Sequence, residues 1–450
     1  MFQNLTPPPP DAILQVMQQF RDDPRSDKVD LGVGVYRDAT GLTPVMRAVK
    51  AAEAHLVATQ DSKGYVAMAG DTGYHAAMAR LVLGGVVPDD RIAAAATTGG
   101  TGAVRQAMEL IHTADPDARV WISQPTWPNH PALAQSAGVA WHPYRYYDAE
   151  TGGIDRAGMM ADLDGARAGD VVVLHGCCHN PTGADFTEHD WAEMAAFLER
   201  RGLIPFVDIA YQGFGDGIDA DAAGLRHLAA RLPRLIIAAS AAKNFGLYRE
   251  RAGIYMVVCP ADERDTTQAM MAWLNRSSTG FPPDHGARVV TTILNDPAMK
   301  AQWLEELAEM RARVNGLRAA LASALRRETG SDRFGFLGAQ KGMFSLLGGT
   351  DAQIARLRDE FGLYLVGGGR MNIAGLKEES VDRVAAGIAR VSQFPDLPRD
   401  SLVQIGEADL TASLRIEGRD DQLLVLRTIV VAEWAARGLA APLAPVSVSV

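Results

Sequence analysis

Lys243 is the residue around which chemistry can be built. It follows the apolar run Leu235-Ile-Ile-Ala-Ala239, whose length and branching suit a buried parallel strand, so the amine is delivered at the strand's C-terminal end, where open α/β sheets hold ligands. An ammonium group with an ordinary pKa of about 10.4 must, when half-buried, find an anion, lose its proton or form an imine with a carbonyl. A lone lysine at a strand end reads more plainly as solvated, but this one has company. Ser240 and Arg251 flank it at spacings that put a hydroxyl and a guanidinium fork on one phosphate. The run Thr97-Thr-Gly99-Gly100-Thr101-Gly102-Ala103 precedes a helical pattern over 104–111, and such glycine-rich loops opening a helix leave unpaired N–H groups that can cradle a phosphate. Asp208 stands inside the apolar Leu203-Ile-Pro-Phe-Val-Asp208-Ile-Ala-Tyr211, where an unpaired carboxylate is expensive. A protonated ring nitrogen would satisfy it and be held cationic by it; an unseen arginine is the structural alternative.

These side chains need a scaffold that repeats one plan. Val120 to His130, Asp170 to Gly183, and Leu203 to Gly215 each read as a buried strand followed by a polar loop. With helical patterns between them, this implies α/β architecture: a mostly parallel sheet covered by helices. Trp127, in the first of these loops, reads as core packing or as a stacking surface. In the second, His175, Cys177, Cys178 and His179 offer metal-binding atom types, but adjacent cysteines fit zinc spacings badly and no second pair follows. Earlier, Pro7 to Pro10 predicts an extended segment, and Asp11 the N-cap of an amphipathic helix to Phe20. Asp30-Leu-Gly32-Val-Gly34-Val-Tyr36 suggests a backbone that something approaches closely, or an ordinary glycine-containing edge strand. Later, 299–327 reads as one long helix, and 342–345 and 364–375 as strands of a smaller domain.

The 450 residues, 47% hydrophobic and 22% charged, suit a globular protein with more than one domain. A net charge of −10 without a dense basic run argues against nucleic-acid or membrane-surface binding. Three cysteines, two of them adjacent, form no disulfide framework and point to a reducing compartment. The start lacks a signal-peptide pattern and no apolar run approaches the roughly 18 residues of a membrane span, so the expected location is cytoplasmic.

Ser240-x-x-Lys243-Asn-Phe-Gly-Leu-Tyr-x-Glu-Arg251-x-Gly resembles the pyridoxal-phosphate lysine motif of class I aminotransferases, in the aspartate and aromatic amino acid subgroup. The resemblance runs from Met1 to about Val391. It implies the type I pyridoxal-phosphate-dependent transferase fold: a large domain (46–310) with a mostly parallel seven-stranded sheet, a smaller α/β domain (12–45 and 311–391), an N-terminal arm (1–11) and an extension (392–450) without a functional reading. A strand pair (402–405 and 410–416) and a helix near 423–436 are expected in that extension.

The resemblance further implies a homodimer with shared active sites and ping-pong transamination of small amino and 2-oxo acids. In it Lys243 binds the cofactor and then shuttles the substrate proton. Gly100, Thr101, Gly102, Ser240 and Arg251, with Tyr65 from the neighbouring subunit, serve the phosphate. Trp127 stacks on the ring, Asp208 pairs with its nitrogen, and Asn180 and Tyr211 bind its phenolic oxygen. Gly34 and Arg370 meet the α-carboxylate, and Arg276 from the partner subunit meets a distal carboxylate. Phe281, beside a double proline, resembles the aromatic branch, so an aromatic amino acid aminotransferase using 2-oxoglutarate is favoured over a strict aspartate enzyme.

Overall fold

In the computed structural model, residues 2–7 and 11–392 are described. Pro8 to Pro10 and the elements expected in 393–450 lie outside them. Seven strands form the main sheet: β1 (Ile92–Thr98), β2 (Arg119–Gln124), β3 (Ala140–Arg145), β4 (Val171–His175), β5 (Ile204–Ile209), β6 (Leu235–Ser240) and β7 (Ala252–Val258). Their order is β1-β7-β6-β5-β4-β2-β3. Only β7 runs against its neighbours, and the other pairings are parallel.

Apolar clusters cover both faces. Along β6, Leu235, Ile237 and Ala239 enter one cluster while Ile236 and Ala238 enter the other, which is why this strand is a continuous apolar run rather than an alternating one. Helix α1 (Gly99–Ala114) packs on β6 and β7, and α2 (Ala261–Ser278) on β1. The parallel strands leave their C-terminal ends on one edge, so the loops after β2, β4, β5 and β6 converge there.

Helix α3 (Pro297–Thr329) is a single helix of 33 residues, close to the span its pattern predicts. Asp296 caps its start by accepting from Ala298 N and Met299 N, proline takes the first turn, and Gly330 closes it in the left-handed conformation. Beyond it, Phe344–Leu346 pairs antiparallel with Arg370–Asn372, and Leu363–Tyr364 pairs parallel with Val29–Asp30. The glycine segment after Asp30 is not a strand. Val35 N turns back to Val33 O, and Asn372 Nδ2 takes the oxygens of Val33 and Val35 at 2.5 and 2.8 Å. Asp11 caps the helix Ala12–Asp22 as its sequence predicts.

Candidate active site

A cavity opens at the C-terminal strand edge, where parallel α/β sheets hold small molecules. Asp208 reaches it from β5 and Tyr211 from the turn that follows; Ser240 ends β6 and Lys243 stands three residues on. Trp127 and Asn180 come from the loops after β2 and β4, and Arg251 from the residue before β7. Gly100 and Thr101 enter from α1. The glycines are therefore the helix's first turn rather than a loop ahead of it, which brings its free N–H groups and dipole directly to the site.

The glycines are there for space. A Cβ on Gly99, whose φ is +68°, would lie 2.6 Å from Arg251 Nη2, and one on Gly100 would lie 3.2 Å from Ser240 Cβ. Arg251 itself has a left-handed backbone at φ +54°, an uncommon state that a functional position can justify. Gly102, in the same turn, lies off the cavity lining against Thr97 and Thr98.

Lys243 is half-buried, with Nζ 5.3 Å from the centre of the Tyr211 ring. Burial, with Arg251 adding to it, brings its ammonium below the usual lysine pKa against the pull of Asp208. Burial pushes Asp208 up, yet the hydrogen bond and charge of His130, with His175 and Lys243 behind, outweigh it and hold the carboxyl below its ordinary value. Burial raises the Tyr211 phenol, which stays neutral. The Asn180 Oδ1 atom is buried without a hydrogen-bond partner among the described residues, a cost that a ligand group would remove.

Sequence reasoning did not assign the residues behind Asp208. His130 Nε2 lies 3.1 Å from Asp208 Oδ2, and its Nδ1 lies 2.8 Å from Thr126 Oγ1, which is also 3.2 Å from His175 Nε2. The His175 ring sits 3.9 Å from that of His179, and His179 stacks on Tyr146 at 4.1 Å. Burial holds His175 well below the usual histidine range and His179 down to about 3, so these two rings are neutral. A threonine and a histidine four residues apart, just past a strand, were the available signal. The two thiols lie by Asp221 rather than by these histidines, and the Asp221 oxygens already accept from Gly213 N, Gly215 N and Asp216 N.

Arg370 is buried beside the cavity. Its Nη2 donates to Gly32 O at 2.7 Å, its guanidinium stands 4.7 Å over the Phe344 ring, and its Nε has no partner among the described residues. Phe344 joins the parts: its ring meets Tyr211 edge-on at 6.1 Å, and a Cβ on Gly34 would lie 2.8 Å from it. Gly34 is thus small because an aromatic ring needs the space. Tyr65 and Arg276 are not on the cavity lining. Tyr65, 87% exposed, stacks on Phe281 at 4.6 Å, and the exposed Arg276 sits 5.6 Å over the same ring.

An α/β sheet that gathers a lysine, a buried carboxylate and an anion-ready helix start at one edge defines a class of cofactor-dependent group-transfer enzymes. Residues 26–388 match the family described as aminotransferase class I and II, and the chain belongs to it. It is 51% identical over 392 residues to the aromatic-amino-acid aminotransferase of Paracoccus denitrificans, covering 87% of this chain and 100% of that one. It is 41% identical over 395 residues to the aspartate aminotransferase of Escherichia coli (strain K12), with the same coverage. Among solved structures it is similar to an aromatic-amino-acid aminotransferase from Burkholderia pseudomallei covalently bound to pyridoxal phosphate. That similarity has a TM-score of 0.85, 41% identity, and coverage of 87% of this chain and 99% of the other. The fold is the type I pyridoxal-phosphate fold, and the enzyme is an aminotransferase that uses that cofactor.

The cavity fits such a group. The helix start, Ser240 and Arg251 offer donors for a phosphate where a Cβ would intrude, Asp208 offers an anion, and Asn180 an unpartnered side-chain carbonyl that accepts. Among the described residues no helix is long and apolar enough to cross a membrane.

Proposed function

We propose that this aminotransferase moves the amino group of aromatic amino acids to 2-oxoglutarate and also accepts aspartate, working as a cytoplasmic homodimer with shared active sites. The observation that carries the chemistry is one cavity lined by Lys243, Asp208, Ser240 and Arg251, where burial favours the neutral amine of the lysine. Gly100, Thr101, Ser240 and Arg251 would hold the phosphate, with Gly102 behind them in the same helical turn, Trp127 the ring face, and Asn180 and Tyr211 the phenolic oxygen. When bound, pyridoxal phosphate supplies an electrophilic carbonyl carbon for amine exchange and a ring that draws off the electron pair of the broken α C–H bond. Lys243 would hold the cofactor through Nζ and would move the proton from the substrate α-carbon to the cofactor's former carbonyl carbon, the net shift that amino-group transfer needs. Asp208 stays ionised and stabilises a cationic ring N–H. Arg370 orients the α-carboxylate with its free Nε and turns the C–H bond toward the lysine.

The aromatic preference is supported by the higher identity to the aromatic enzyme and by Phe281, whose ring carries Arg276. An exposed Tyr65 and Arg276, together with an arm whose Phe2 and Leu5 are 76% and 73% exposed, support a second copy that covers them and receives their side chains. The strand pairing of Val29–Asp30 with Leu363–Tyr364 supports a smaller domain built from 12–45 and 311–391, beside a large one of 46–310. Three buried unpaired thiols accord with the reducing compartment.

Single-turnover mixing with phenylalanine, tyrosine and aspartate, followed by the absorbance of the bound cofactor, tests this. Rapid conversion with the aromatic acids, abolished by Lys243→Ala, is expected. Conversion with aspartate alone would overturn the aromatic reading.

A further inference from the structure

Two charged side chains outside the cavity lining hold two backbone loops at its border, one that supplies Asn180 and one that carries Phe344 against Tyr211. Asp185 accepts from Cys178 N at 2.6 Å and from His179 N at 2.8 Å. These are consecutive amides, and Cys178 has a left-handed backbone at φ +52°, so the carboxylate fills a concave nest of main-chain donors. The next residue is Asn180, whose amide faces the cavity. Arg318, 1% exposed, does the converse with carbonyls: it donates to Gly342 O, Leu337 O and Lys341 O, to Phe344 O, and to Ser345 Oγ at 2.6 Å. That fastens the loop presenting Phe344 between Tyr211 and Arg370. Among the described residues neither charge is in an ion pair; Asp185 is spent on backbone amides, and Arg318 on backbone carbonyls and the Ser345 hydroxyl.

The loops are also locked to each other. Lys341 N donates to Gly183 O at 2.8 Å. A Cβ on Gly342 would lie 2.2 Å from Cys178 Cβ, and one on Gly183 would lie 2.5 Å from Phe344 O.

We propose that Asp185 and Arg318 are positioning residues for transamination: Asp185 sets Asn180 against the cofactor, and Arg318 sets Phe344 and with it Arg370 against the substrate carboxylate. The inference rests on the roles proposed above for Asn180 and Arg370, so each variant is paired with a direct one. Asp185→Asn keeps the shape but turns an NH₂ group on one of the two amide donors, so one bond is lost and a clash of donors is created. It is compared with Asn180→Ala, and Arg318→Lys with Arg370→Lys, in dialysis for pyridoxal phosphate affinity, pH titration of the bound cofactor's absorbance, and steady-state kinetics.

Asp185→Asn is expected to shift the absorbance titration in the direction of Asn180→Ala and to weaken cofactor affinity about tenfold, the scale of one charge-assisted hydrogen bond, with KM for amino acids little changed. Arg318→Lys is expected to raise that KM about tenfold, as Arg370→Lys does, with the absorbance titration unmoved. If Asn180→Ala shifts the titration and Asp185→Asn does not, or if Arg318→Lys leaves KM unchanged while Arg370→Lys raises it, the positioning proposal falls. If the direct variants themselves have no effect, the site assignment falls instead. Should Asp185→Asn not fold, Asp185→Glu, which keeps the charge and displaces it by one methylene, is read against the same outcomes.

Discussion

The cavity at the strand edge and the aromatic cluster around Phe281 hold residues of the same expected site, yet they are built in opposite ways. In the cavity the charged groups are placed by the chain itself: Asp208 has His130 and Lys243 has Asp208, while the helix start and Arg251 both turn positive potential toward the place an anion would fill. Around Phe281 the side chains are presented outward, with Tyr65 stacked on the ring and Arg276 resting over it. Surface aromatic stacking and an exposed cation–π contact contribute about 1 kcal/mol each, too little to hold these side chains if a better partner arrives. The difference teaches that the cavity's side chains are positioned by one chain alone, whereas Tyr65 and Arg276 stand on a surface that the proposed second copy would complete.

Three experiments sharpen or break that contrast. The largest effect belongs to Asp208→Ala, which removes the buried anion without touching the cluster. A fall in kcat of about 10³-fold with phenylalanine is expected, and retention of most activity would remove the carboxylate from the mechanism. His130→Phe comes next. Without its hydrogen bond and charge, burial dominates and the Asp208 carboxyl pKa rises. The ionised form is then lost at a higher pH as the solution is acidified, so the acid limb of the pH–rate profile moves upward, with kcat near neutrality reduced about tenfold. An unmoved acid limb would show that Asp208 does not depend on this layer.

The smallest effect tests the cluster. Lys243→Ala and Arg276→Ala are purified separately, dissociated together and allowed to reassociate. If sites are shared, half the dimers are mixed and each holds one site with both residues intact, restoring about a quarter of wild-type activity toward aspartate. Activity no higher than that of the diluted Arg276→Ala protein would assign both residues to one chain and erase the contrast.

Much of the cavity was legible beforehand because its chemistry lies at fixed offsets from strands. Ser240, Lys243 and Arg251 follow one apolar run, Asp208 ends another, and the periods of the flanking segments are strong. The long helix was legible for the same reason, since Asp296, Pro297 and Gly330 mark its ends. Where the reading fell short, the reason was position in space. The glycine run was taken as a loop because glycine is a poor helix former; its tolerance within the first turn comes from Arg251 and Ser240, which arrive from far along the chain. His130 carried only one local mark, the threonine four residues before it, and the carboxylate it binds is 78 residues away. Asn372 and Phe344 gave no signal because their roles concern the backbone and ring of other segments.

The sequence by itself determined the strand–loop–helix order, the helix caps and the set of side chains able to bind a phosphate, a ring and a carboxylate. These follow from periodicity and from residue chemistry, which act over a few positions. Only the tertiary structure decided which of those side chains share a cavity, which are neutralised by neighbours, and which remain on the surface. Hydrogen bonds and burial depend on approach within about 3 Å, and in this protein that approach is set by sheet order and by two loops held on buried charges.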